Sequence, residues 1–137
     1  MNPIAQSRPA TLETILVVED NPLVLRFLGA CLRHAAFNVL SAGSPEEARR
    51  IEADYAGPIH LLLSDTIMLH TLGPDLADEL TTKRAGMRVL LISGCPDHIR
   101  VINYVGPFLQ KPFLAGELLS AVKEVLRGEP HAAPAAA

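Results

Sequence analysis

Five residues able to do chemistry each stand at the end of a short apolar run: Glu19 and Asp20 after Ile15-Leu16-Val17-Val18, Asp65 after Leu61-Leu62-Leu63-Ser64, Ser93 after Val89-Leu90-Leu91-Ile92, and Lys111 after Phe108-Leu109-Gln110. If these runs are parallel strands of one open sheet, their carboxyl ends share an edge, where the loops converge and the following helices present their N-termini. Three carboxylates, one hydroxyl and one ammonium then meet in one crevice. Like charges so placed raise one another's pKa unless a cation neutralises them, so the cluster implies a bound divalent metal. An all-oxygen donor set points to Mg²⁺, with Mn²⁺ as a substitute. Singly, each residue says little, because a strand-end aspartate more often caps a turn and a strand-end serine commonly bonds to backbone. The weight lies in the whole set occurring in order.

The chain that must position them alternates apolar runs with amphipathic stretches, the pattern of an α/β fold in which a parallel sheet carries helices on both faces. Five strands are expected, at residues 15–18, 38–42, 59–64, 89–92 and 108–110. Asn21-Pro22 supplies a cap and a proline at the first helical position. After it Val24, Phe27, Leu28, Cys31, Leu32 and Ala35 recur at three- and four-residue steps, giving one apolar face to lay on the sheet. Ser44-Pro45-Glu46-Glu47 reads as a capping box for a second helix bearing Ala48, Ile51 and Tyr55, which Gly57-Pro58 ends. Gly73-Pro74 opens a third around Leu76, Ala77 and Leu80. Leu114, Leu118, Val122 and Leu126 step by four along the last helix, and Gly128 stops it. Phe108 is expected in the core.

With 137 residues, 49% of them hydrophobic, 20% charged and a formal net charge of −3, the chain reads as one globular domain. No Lys/Arg-rich run is present, which argues against direct nucleic-acid binding, since phosphate backbones are held by clustered cations. No stretch has signal-peptide or membrane-spanning character, so a cytoplasmic protein without membrane contact is expected. Cys31 and Cys95 read as free thiols, and His34, His60, His70, His98 and His131 lack the spacing of a metal site. Residues 1–12 read as a flexible arm, 13–128 as the folded domain and 129–137 as a disordered Ala/Pro tail.

Val-Val-Glu19-Asp20, Leu-Leu-Ser-Asp65-Thr-Ile-Met68, Ile-Ser93-Gly and Leu-Gln-Lys111-Pro-Phe together resemble, in order and position, the signature of response-regulator receiver domains of two-component signalling. The resemblance implies a flavodoxin-like, doubly wound five-stranded sheet of order 2-1-3-4-5. It also implies that Asp65 accepts a phosphoryl group from the phosphohistidine of a histidine kinase or phosphotransfer protein. In that family pattern Asp20, Asp65 and the backbone carbonyl of Ile67 ligate Mg²⁺ directly, while Glu19 acts largely through bound water. Lys111 offsets phosphoryl charge, Ser93 bonds the phosphoryl group and draws its loop inward, and Phe108 turns its ring toward the space Ser93 leaves. The chain is thereby expected to be a phosphoacceptor switch rather than an enzyme, read by an unidentified downstream protein and capable of a phosphorylation-dependent dimer.

Several positions depart from the family pattern. Leu69 stands where proline is usual, which loosens the loop leaving the site. Lys111 follows Ser93 by only 18 positions, so the fourth helix, near residues 97–104, is expected to be short or irregular and the reporting face altered. Ile67 and Cys95 occupy the loop positions that influence attack by water, and neither can position one, so a long-lived phospho-Asp65 is expected. Two other readings stay open. An aspartyl-nucleophile phosphatase would use similar groups, but Asp65-Thr66-Ile67 lacks its second acid. A phosphate-independent interaction module of the same fold is not separated by fold alone.

Overall fold

The computed structural model describes residues 12–68, 71–94, 104 and 106–128. Strand β1 (Thr14–Val18) is buried along its whole length because successive side chains enter two different cores. Ile15 and Val17 point to one face with Leu61, Leu63, Leu90 and Ile92, where Leu28 and Leu32 of helix α1 (Pro22–His34) and Leu118, Val122 and Leu126 of α4 (Ala115–Arg127) meet them. Leu16 and Val18 point to the other with Leu62, Val89 and Leu91, covered by Ala48 of α2 (Pro45–Asp54) and Leu76, Ala77 and Leu80 of α3 (Gly73–Lys83).

The remaining strands are β2 (Asn38–Ala42), β3 (Leu61–Asp65), β4 (Ile67–Met68), β5 (Thr71–Leu72), β6 (Arg88–Ser93) and β7 (Phe108–Gln110). Four of them join β1 in a parallel sheet of order β2-β1-β3-β6-β7. With the small antiparallel ribbon β4–β5 set aside, this is the expected order 2-1-3-4-5, and the doubly wound fold stands. The ribbon itself is an addition, since two-residue strands leave no periodicity to read.

The caps behave largely as the sequence suggests. Asn21 accepts from the N–H groups of Leu23 and Val24 at 2.9 and 3.3 Å, and Ser44 Oγ accepts from Glu47 N at 3.1 Å. The reciprocal half of this capping box is displaced by one residue, because Glu47 Oε1 accepts from Gly43 N at 2.6 Å. Helix α2 ends at Asp54, before Gly57-Pro58, where the Arg84 guanidinium takes over the terminal carbonyls: Nη2 donates to Glu52 O and Tyr55 O, and Nη1 to Gly57 O. At the amino edge of the sheet Thr14 N donates to His60 Nδ1 at 2.9 Å and Asn38 Nδ2 to the Tyr55 hydroxyl at 3.0 Å. His60 is thus a satisfied structural histidine.

Four expectations need correction. β3 starts at Leu61 rather than Ile59 and takes in Asp65 as its last residue. Phe27 is not on the sheet face but 43% exposed, its ring tilted against Phe113 at 6.5 Å. Leu114 is not in the apolar stripe of the last helix but precedes it, 74% exposed. Phe108 is 42% exposed rather than core, because on edge strand β7 it is Leu109 that faces the packed α1/α4 side. Apart from Tyr104, the expected fourth helix falls outside the described residues, as do Leu69, Cys95, the tail and, except for Leu12, the N-terminal arm.

Candidate functional site

At the carboxyl edge the chain leaves β1 into Glu19, whose N–H donates to Ala42 O at 3.1 Å and so keeps the turn tied to β2. The Glu19 side chain is 1% exposed. Its Oε2 accepts from Asn21 N at 3.0 Å and its Oε1 lies 3.4 Å from Lys111 Nζ. The residue that caps α1 therefore also orients the first acid of the cluster. Asp20, next along, is exposed.

Asp65 divides its two oxygens. Oδ1 accepts from Thr66 N at 2.9 Å, and Oδ2 faces Lys111 Nζ at 3.7 Å. Oxygens of Glu19, Asp20 and Asp65 all lie within 4.8 Å of one another. Lys111 is positioned by its own backbone, since its N–H donates to Ser93 O at 2.8 Å as β7 leaves the sheet, and the following peptide to Pro112 is cis. Ser93, fully buried, ends β6.

Burial is the main cause that pushes the Asp65 carboxyl above the usual carboxylate range; Lys111 and the Thr66 N–H pull it back, and Asp20 adds to the rise. Glu19 is raised for the same first reason, with the Asn21 N–H and Lys111 opposing and the Asp65 charge contributing. Lys111 pairs with Glu19 and Asp65, and Asp20 lies with these two acids, so one ammonium leaves an excess of negative charge on hard oxygen donors. Such a donor set fits a hard divalent cation.

Of the residues singled out from the sequence, Glu19, Asp20, Asp65 and Lys111 come together, and Ser93 joins through its carbonyl. Ile67 begins β4 two positions beyond Asp65 with a side chain 41% exposed. Phe108 pairs in register with Leu91, two positions before Ser93. Two residues escaped sequence reasoning. Thr66 is 1% exposed and bonds both Asp65 and β6. Gly73, whose N–H donates to Thr66 O at 2.6 Å, lies so close that a Cβ there would collide with the Asp65 carbonyl. In sequence Gly73 signals only a helix start, and Thr66 carries no signal.

A family model described as the response regulator receiver domain matches residues 15–123. The transcriptional regulatory protein AruR of Pseudomonas aeruginosa is 32% identical over 90% of this chain and 53% of its own length. The sensor kinase CckA of Brucella abortus is 30% identical over 82% of this chain and 12% of its own. The chain thus spans about half of one relative and a small part of the other. Among solved structures, the receiver domain from the hybrid histidine kinase CckA superposes with a TM-score of 0.71 at 34% identity, covering 82% of this chain and 98% of that one. No helix among the described residues is long and apolar enough to cross a membrane.

Proposed function

The chain belongs to the family of response regulator receiver domains, phosphoryl-accepting modules of two-component signalling, and from that premise we propose that Asp65 is the acceptor and that Glu19, Asp20, Ser93, Lys111, Ile67 and Phe108 serve it. The observation that carries the reading is the placement of Asp65 at the end of β3, 3.7 Å from Lys111 Nζ and within 4.8 Å of the Glu19 and Asp20 oxygens. An Asp65 oxygen bonds to phosphorus as the P–N bond to the donor's histidine breaks, the electron pair leaving with the imidazole nitrogen; the product is an acyl phosphate. Lys111 offsets charge on the transferred oxygens, and fixed charge is most of what such a transfer asks of a protein. Asp20, Asp65 and the Ile67 carbonyl would hold Mg²⁺, with Glu19 acting through bound water, and the ion would supply further positive charge against those oxygens.

Ser93 then bonds the phosphoryl group and draws the end of β6 inward. Phe108, on the edge strand and 42% exposed, has room to follow. The donor is a histidine kinase or phosphotransfer protein met in the cytoplasm. Treatment with acetyl phosphate or beryllofluoride in Mg²⁺ gives an adduct on the wild type and none on Asp65→Asn, with backbone shifts spreading to Phe108. A wild type that gains no mass would overturn the assignment. The phosphoryl group outlasts minutes in an acid-quench series without a phosphatase; loss within seconds would remove the claim that Ile67 and Cys95 cannot position water.

A further inference from the structure

We propose that the Thr66 hydroxyl is a positioning group for phosphoryl acceptance, satisfying the Ile92 carbonyl so that the Thr66 N–H is available to hold the Asp65 carboxylate. This rests on the reading of Asp65 as acceptor. Thr66 is 1% exposed, and its N–H is shared between Ile92 O at 2.8 Å and Asp65 Oδ1 at 2.9 Å. Its hydroxyl donates to the same Ile92 O at 2.6 Å. A buried carbonyl needs a donor, and a three-centre N–H divides its strength between two acceptors. With the hydroxyl serving Ile92, the amide can commit to the carboxylate, where its bond is charge-assisted.

The geometry gives this consequence for the reaction. Holding Oδ1 leaves Oδ2 facing Lys111 at 3.7 Å, the side from which charge on an incoming phosphoryl group is offset. Ile92 directly precedes Ser93, and the Ser93 carbonyl takes the Lys111 N–H at 2.8 Å. Two consecutive carbonyls of β6 therefore receive donors from the acceptor side and from the lysine side. Without the hydroxyl, Ile92 O would claim the amide and Asp65 would lose its backbone restraint.

The test compares Thr66→Val, which keeps the shape and removes the donor, with Thr66→Ser, which keeps the donor. Acetyl phosphate with saturating Mg²⁺ is the donor, its P–O bond breaking to release acetate. Losing one hydrogen bond to a charged group slows adduct formation about tenfold in the valine variant. The serine variant stays within about twofold of wild type, as does the Mg²⁺ dissociation constant of both. The through-bond coupling between Thr66 ¹⁵N and the Ile92 carbonyl carbon rises in the valine variant as the amide commits to that carbonyl. Equal rates for valine and wild type, a serine variant as slow as valine, or Mg²⁺ affinity falling in step with the rate would each overturn the proposal. Should valine prevent folding, Thr66→Ala against Thr66→Ser asks the same question of the hydroxyl. A wild type that accepts no phosphoryl group defeats the acceptor reading and this inference with it, an outcome distinct from a wild type labelled no faster than its valine variant.

Discussion

Asp65 is ionised at a cost when no cation is bound, since burial outweighs the help of Lys111 and the Thr66 N–H and its pKa stands above the unfolded value. Below the unfolded value both states are protonated and the group does not affect stability. As pH rises through the folded value the carboxylate becomes a net penalty, because the unfolded chain ionises more easily. Asp65→Asn keeps an oxygen for the Thr66 N–H and drops the charge. In metal-free buffer at pH 7 it stabilises the fold, because the charge that burial penalises is gone. The gain disappears below the ordinary aspartate value of 3.8. Urea titrations of both proteins at the two pH values check this, and a variant no more stable at pH 7 would mean that Lys111 fully compensates the acid. The acids and the lysine were legible in the sequence because each ends an apolar run. Thr66 was not, because a threonine hydroxyl finds its partner only once β3 and β6 lie side by side.

At the scale of elements, the approach of α3 to the end of β3 sets where Asp65 stands. Gly73 makes that approach possible, as a Cβ would meet the Asp65 carbonyl and Thr66. Gly73→Ala therefore destabilises by about 1–3 kcal/mol, the range of overpacking, and is expected to lower the rate of adduct formation because the displaced backbone is that of Asp65. Gly116→Ala, on α4 with open space around it, is the control and gains about 0.5–1 kcal/mol from helix propensity. Loss of stability at Gly73 with an unchanged phosphorylation rate would show that β3 does not transmit the strain. On the same face but at the other end of the helices, Arg84 ties three carbonyls of the α2 terminus and pairs with Glu52, whose side chain is 9% exposed. Arg84→Met leaves that carboxylate unpaired and costs about 3–5 kcal/mol by thermal or chemical denaturation. Its Asp65 chemistry at temperatures where it stays folded is unchanged. Neither contact could be read beforehand. Periodicity revealed the helices and their buried stripes, but the ribbon β4–β5 is too short to have a period, and the exposure of Phe27 and Phe108 follows from which neighbour covers each face.

For the molecule as a whole, two apolar cores hold a sheet whose carboxyl edge gathers three acids around one lysine, so the stability of the whole domain is linked to what neutralises that edge. The order of the sheet was readable because each parallel strand is an apolar run ending in a site residue; the extent of charge imbalance appeared only when the distances did. A cation that binds the folded site and not the unfolded chain stabilises by about 2.7 kcal/mol when its free concentration is one hundred times its dissociation constant. It also requires the carboxylates to be deprotonated, which reverses the sign of the pH dependence. In EDTA the raised Asp65 and Glu19 make the fold lose stability as pH rises from acid toward neutral, as far as these two groups decide it. In Mg²⁺ the same rise in pH increases metal affinity and stabilises the fold. Melting temperatures at pH 5 and pH 7, with EDTA or with millimolar Mg²⁺, therefore give opposite slopes for the wild type. Parallel slopes would show that the three acids do not hold the metal as a group. Asp20→Asn and Asp65→Asn each remove a negative charge from the donor set and flatten the Mg²⁺ response, whereas Arg84→Met lowers every melting temperature and leaves the difference between EDTA and Mg²⁺ in place. That separation distinguishes a metal bound at the carboxyl edge from one that merely screens the surface.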